Sequence, residues 1–352
     1  MRKKCWGKSA AVLLAAAMLL GGCGSKEEKP QEAKGTAEQE EPGETPEATE
    51  TPDTTEEPEA EEEPAATEAP ETSDREIPEN VLRVEEDYSL IRDNFVLGNS
   101  AVNRESIVLV DFVDTLEGQG EGAWDVSAAQ DGSVMAWVTQ EPAGGHLYIG
   151  GEGGVTANEN SAGLFAQYAN VAEIRFNGCF YTDAAVSMRD LFWGCRNLAS
   201  LDVTDFRTEN LQRADSMFGS CEKLTQLDVS SFDTSQVQRM DGMFFGCKSL
   251  TSLDVTHFDT SQVTDMAELF SYCKSLTSLD VTNFDTSQVT DMAGMFSGCT
   301  QLVSVDLSGF DTSQVTRMKS MFYECESLQS YGSLAIPPEI DVEGMFTGTI
   351  WE

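Results

Sequence analysis

A unit of 26 residues is written repeatedly between Met188 and Cys325, and no feature of the chain restricts its fold more. Two copies read LTSLDVTHFDTSQVTDMAELFSYCKS from Leu250 and LTSLDVTNFDTSQVTDMAGMFSGCTQ from Leu276. Cys195, Cys221, Cys247, Cys273, Cys299 and Cys325 keep the step, and so do Asp202, Asp228, Asp254, Asp280 and Asp306. A fixed period of this size belongs to a stack of units, each of which buries its apolar side only against its neighbours.

Within one unit the apolar period changes. Leu253 and Val255 alternate with Asp254 and Thr256, which predicts a short strand with the polar pair on the open face. Met266, Leu269, Phe270, Cys273 and Leu276 then follow i, i+3, i+4, i+7 and i+10, the spacing of one helix face, with Thr264 as N-cap. Between them FDTSQV recurs from Phe232, Phe258, Phe284 and Phe310. Its Asp, Thr and Ser suit turns closed by side chains, and a ligand-binding role is the alternative. The expected fold is an α/β solenoid, a leucine-rich-repeat-like stack of 26-residue strand-loop-helix units with an N-terminal β cap and a disordered acidic linker before it.

The phrase M-x-x-M/L-F-x-x-C-x-x-L-x-x-L-D-V/L-S/T-x-F-D-T-S-x-V-T, nearly whole from Met240, Met266 and Met292, resembles the BspA-like leucine-rich-repeat surface proteins. More narrowly it is similar to the bacterial domain of unknown function first noted in mycoplasma lipoproteins, over about Tyr88 to Phe346. The resemblance implies a cell-surface protein that adheres to host or neighbouring-cell molecules. It carries no catalytic residues to transfer.

Residues 1–22 read as a lipoprotein signal peptide. Arg2, Lys3, Lys4 and Lys8 form a basic start, Ala10 to Leu20 an apolar run, and Leu20-Gly21-Gly22-Cys23 a cleavage box. An ordinary cleaved signal beside a chance cysteine is the alternative. Cys23 is the expected lipidation site, and several acyl chains there would anchor the protein to the membrane. Residues 23–80 then form an acidic Pro/Glu/Thr-rich linker: Lys26 to Glu79 holds 21 acidic and 4 basic residues, 8 prolines and no aromatic. Such composition cannot bury enough apolar surface to order itself. As a coil it would span roughly 40 Å, and more when stretched by its own charge, which suits passage through a Gram-positive cell wall. An acidic tail for a basic partner is the other reading.

Residues 81–160 read as a β-rich cap, with strands at Ser106–Phe112, Val134–Val138 and His146–Gly150 and glycines between them. Residues 161–352 hold the repeats. The first copy carries Tyr168 in the cysteine slot and the last carries Thr349, as degenerate end units do.

From Asn80 onward 40 acidic residues face 14 basic ones. Nucleic acid and anionic lipid headgroups are disfavoured as partners, and an extracellular protein or glycan fits better. The seven cysteines past Cys23 lack the close pairs that metal binding needs and are expected as buried free thiols. Only two histidines occur, His146 and His257, and the slot of His257 holds Asp205, Ser231, Asn283 or Gly309 elsewhere. A nucleophile with its base is not written here, so no enzyme is expected, with an extracellular hydrolase as a distant alternative.

One feature carries electrostatic tension. Carboxylates stacked about 5 Å apart repel by about 0.8 kcal/mol in water and about 3 kcal/mol at an effective dielectric of 20. The row Thr204, Ser230, Thr256, Thr282 and Ser308 can donate hydrogen bonds to Asp202, Asp228, Asp254, Asp280 and Asp306, and calcium at Asp228, Asp254 and Asp280 is the sharper reading. Both rows together form the expected ligand-binding face. The function expected is adhesion or partner binding at the cell surface; docking to other envelope proteins as an assembly subunit is the rival.

Overall fold

A computed structural model of the protein describes residues 80–84 and 94–352. The expected signal peptide (1–22), the lipidation site Cys23 and the acidic linker through residue 79 lie outside the described residues.

Ahead of the repeats the apolar runs build β-structure. β1 (Phe95–Val96) and β2 (Asn99–Asn103) pair as an antiparallel ribbon. β3 (Ile107–Val113), β4 (Trp124–Asp125), β5 (Met135–Glu141), β6 (Gly144–Gly150) and β8 (Glu173–Arg175) form one sheet in the order β4-β5-β6-β3-β8. β7 (Val155–Thr156) pairs in parallel with β9 (Phe180–Tyr181). Alternation sorts the faces of the sheet: Val110, Phe112, Ala136, Leu147 and Ile149 are fully buried, while Asp111, His146 and Tyr148 take the other side. β8 carries Ile174, the counterpart of Leu201, so the sheet runs directly into the repeats.

The strand-loop-helix units of an α/β solenoid are not formed. Among the described residues there is no α-helix, Arg104–Ser106 makes a single 3-10 turn, and every strand lies before residue 182. The segment expected as a helix is a run of turns. From Met240, the N–H groups of Met243, Phe245 and Cys247 donate to carbonyls three residues back, at Met240, Gly242 and Phe244. Those of Gly242, Phe244 and Gly246 donate instead into the next unit, to Ala267, Leu269 and Ser271 at 2.8, 3.0 and 2.7 Å. Gly242 (φ +59) and Gly246 (φ +69) are left-handed, as residue i+2 of a type II turn must be and an α-helix cannot be. Successive turns of about four residues return side chains to one face, so apolar spacing of i, i+3, i+4, i+7 fits them as well as it fits a helix. The segment expected as a strand also differs: Ser278, Ser304 and Ser330 meet only as isolated parallel bridges.

Columns of identical side chains fill the interior. The rings of Phe192, Phe218, Phe244, Phe270, Phe296 and Phe322 follow one another at 5.6 to 5.8 Å. Beside them Cys195, Cys221, Cys247, Cys273, Cys299 and Cys325 are buried free thiols, and Cys179 is buried as well. Burial pushes the thiols of Cys195, Cys247 and Cys325 up to about 12, and each of these donates to a backbone carbonyl, as Cys247 does to Phe218 at 3.3 Å. They act as small apolar fillers. In FDTSQV the turn reading is what forms: Asp233, Asp259, Asp285 and Asp311 accept from the N–H of the serine two residues on, at 2.8 to 3.0 Å. The buried hydroxyls of Thr208, Thr234, Thr260 and Thr286 donate to the next unit at 2.9 to 3.0 Å.

Charges between units make a pH-sensitive seam. Arg189 Nε lies 3.2 Å from Asp190 Oδ2 and 3.1 Å from Asp215 Oδ2, Arg213 pairs with Asp215, and Arg239 bridges Asp241 and Asp265. Burial, with the charges of Asp215 and Asp241, raises Asp190 to about 7, against the opposing pull of Ser216 and Arg213. Burial likewise raises Asp265 to about 6. Both groups bind a proton more tightly in the folded chain, so their contribution is complete below about pH 4 and lost as pH rises through 6 to 7. The intact protein therefore melts at a higher temperature at pH 5 than at pH 8, and Asp190→Asn shrinks the difference. Thermal unfolding across that range checks this; the same pH slope in both proteins would contradict it.

Candidate ligand-binding groove

The turn after each LDV segment sets the carboxylate row. Oδ1 of Asp202, Asp228, Asp254, Asp280 and Asp306 accepts the N–H of Thr204, Ser230, Thr256, Thr282 and Ser308 at 3.0 to 3.1 Å. The hydroxyls of Thr204, Thr256 and Thr282 donate to the same oxygens at 2.6 to 2.7 Å. This bonding, hydroxyl first and N–H second, holds the carboxyls of Asp228, Asp254, Asp280 and Asp306 below the usual range. All ten residues are exposed, and the oriented carboxylates of Asp228, Asp254, Asp280 and Asp306 stay charged in mild acid.

A long open groove runs along the carboxylates. Leu227, Leu253, Leu279 and Val305 form its floor, Asp228, Asp254, Asp280 and Asp306 one wall, and Ser252, Ser278 and Ser304 the other, around a volume of about 780 Å³. A second hollow of about 720 Å³ shares Gln226, Leu227 and Asp228 with it and continues past Asp202 to Arg175 on β8. Arg175 is fixed there by Glu173 at 2.6 Å and Asp111 at 3.5 Å. Floor and walls repeat once per unit, so whatever lies along the groove meets the same chemistry at every step.

Two other readings meet the geometry less well. Among the described residues no three His, Cys, Asp or Glu side chains come together as metal ligands, and Asp228, Asp254 and Asp280 are spread one per unit along the wall. His146 Nε2 lies 2.7 Å from Asp111 Oδ2, with Nδ1 at 3.0 Å from the Tyr148 hydroxyl and 3.2 Å from Glu141. His257 Nε2 lies 2.9 Å from the carbonyl of Val229. Hydrogen-bond partners of the two histidines thus include no serine or cysteine nucleophile.

The Asp and Ser/Thr rows were legible from their period. The floor was missed as a binding element because Leu253 reads as core; it is 8% exposed, enough to surface the groove. Arg175 was missed because nothing near it in the sequence marks the end of a groove. Among known proteins, no curated protein and no solved structure matches this chain. Two successive stretches, residues 161–253 and 247–350, match the family described as "Mycoplasma protein of unknown function, DUF285". Those stretches cover more than half of the chain, which therefore belongs to that family.

Proposed function

We propose that the protein is a lipid-anchored cell-surface binding protein of the BspA-like type, adhesin-like and without chemistry of its own. Cys23 carries the anchor and the acidic linker lifts the repeats away from a Gram-positive membrane. The groove is the observation that carries this reading: it is long, open and repetitive, and its carboxylates are held in place before any ligand arrives. Preorganised acceptors over an apolar floor suit an extended segment of an extracellular protein with basic side chains, and the net charge of the chain favours such a partner.

The test is surface-plasmon titration of the intact protein over immobilised matrix proteins, mucin, and envelope proteins of its own cell. Binding to a matrix protein or mucin is expected, weakened at least tenfold by Asp254→Asn combined with Asp280→Asn. Asparagine keeps the side-chain oxygen that accepts the N–H of Thr256 and of Thr282, so the turns are retained. Binding confined to envelope proteins would make the chain an assembly subunit, and equal affinity of the variant would remove the groove from the account.

A further inference from the structure

Some slots of the unit hold aromatic residues in certain copies only. The slot of Trp193 holds Gly219 in the next unit, and Phe245 and Tyr323 further on; the slot after it holds Tyr272 where the flanking units hold Gly246 and Gly298. Trp193, Phe245, Tyr272 and Tyr323 are all partly exposed, and none of them lines the groove. Two of the rings rest on the glycine of the following unit. A Cβ at Gly219 would stand 2.6 Å from Trp193 Cδ1, and one at Gly298 would stand 2.6 Å from Tyr272 Cδ1. Phe245 and Tyr272 meet edge to face at 5.8 Å.

Tyr272 also carries strain. Its backbone is left-handed (φ +57), as the same slot is in Ser220 (φ +57), Glu324 (φ +56), Gly246 (φ +69) and Gly298 (φ +70), and of these residues the bulky tyrosine bears the greatest cost. Its ring is left partly exposed, so burial offsets little of that cost.

The frame around the rings is charged. Lys248 pairs with Glu222 at 3.1 Å, and the ammonium of Lys274 lies 5.8 Å from the Tyr272 centroid. Protein interfaces centre on contiguous apolar surface. The exposed aliphatics Val303, Ile336, Val342 and Ile350 all occur after Tyr272, and none of them is adjacent in sequence to any of the four rings. Rings contributed one at a time by different units in a charged frame suit a sugar polymer, whose C–H faces stack on aromatics and whose hydroxyls bond to carboxylate and ammonium. The acidity of the chain excludes an anionic polymer.

We propose that Trp193, Phe245, Tyr272 and Tyr323 form a second binding surface, separate from the groove, for a neutral polysaccharide. The inference rests on the reading of the chain as an extracellular binding protein, and it concerns a different face.

Calorimetric titration of the intact protein with cellohexaose, chitohexaose and maltohexaose, and with polygalacturonate as the anionic control, tests it. The ring variant is Trp193→Gly with Tyr272→Gly, residues that other units carry in the same slots, and the groove variant is Asp254→Asn with Asp280→Asn. At least one neutral hexasaccharide is expected to bind, at least tenfold more weakly to the ring variant and equally to the groove variant. Tyr272→Gly alone is expected to raise the melting temperature by about 2–4 °C by relieving the left-handed tyrosine. If the ring variant does not fold, Phe245→Ser, which copies Ser271, takes its place. Loss of binding in the groove variant alone would assign the glycan to the groove, overturning the second surface while leaving the general reading intact. No binding of any neutral hexasaccharide, or equal affinity in the ring variant, would also overturn it.

Discussion

Replacing Phe244 with alanine destabilises the protein by about 3–5 kcal/mol, the range for truncating a fully buried phenylalanine in a core that cannot collapse around the gap. Phe244 is 0% exposed and sits between Phe218 and Phe270, at 5.7 Å from each. Neighbouring units cannot close that space without breaking the bonds from Gly242, Phe244 and Gly246 into the next unit. Since each unit touches only its neighbours, a weak middle step also uncouples the two halves. Denaturant unfolding followed by intrinsic fluorescence should show the midpoint fall and the single transition broaden or divide. Phe244→Leu should cost far less, because it refills most of the volume. A loss below about 1 kcal/mol for the alanine variant would mean that the column is not what holds the units together.

Replacing Arg104 with methionine costs about 2–4 kcal/mol, for a different reason. Arg104 is 1% exposed; its Nε donates to the carbonyl of Phe95 at 2.7 Å, and its Nη1 to those of Ala166 at 2.6 Å and Gly163 at 3.3 Å. Its guanidinium also stands 5.2 Å from the ring of Tyr168, the residue in the cysteine slot of the first unit. Gly163 and Ala166 belong to that first unit, so the arginine ties the β-structure to the start of the stack. Methionine fills the volume but takes the 2.6 Å donor from the buried carbonyl of Ala166, while that of Gly163 keeps the N–H of Ala166 at 2.9 Å, and an unpaired buried carbonyl is expensive. Lysine keeps the charge without the planar fork, so Arg104→Lys should fall between the two. Hydrogen exchange should quicken first at residues 163–167 in the methionine variant. Unchanged stability and protection would contradict this role.

The limits of reading this chain from its sequence follow from where its hydrogen bonds go. Period, columns and turns were legible because they are local or strictly repeated: Asp259 and Ser261 mark their turn, and Phe244 and Cys247 recur with their neighbours. The helix was misread because apolar spacing reports which side chains share a face, whereas the N–H of Phe244 finds its acceptor 25 residues away at Leu269. Gly242, Gly246, Gly294 and Gly298, two per unit in a segment with helical spacing, were the available warning; all four are left-handed. Arg104 could not be found in advance, since nothing adjacent to it distinguishes a buried cap from a surface charge. For the binding face the carboxylate row was visible and its apolar floor was not, because a leucine 8% exposed has the same sequence signature as one fully buried.

The account stands on units built from turns and bonded to each other through the backbone. Backbone chemical shifts from Met240 to Leu250 in the intact protein, with scalar coupling measured across hydrogen bonds, test that claim most directly. Left-handed shifts at Gly242 and Gly246 and a coupling from the Phe244 nitrogen to the Leu269 carbonyl carbon are predicted. An unbroken helical shift pattern from Met240 to Cys247, with Phe244 coupled to Met240, would contradict it.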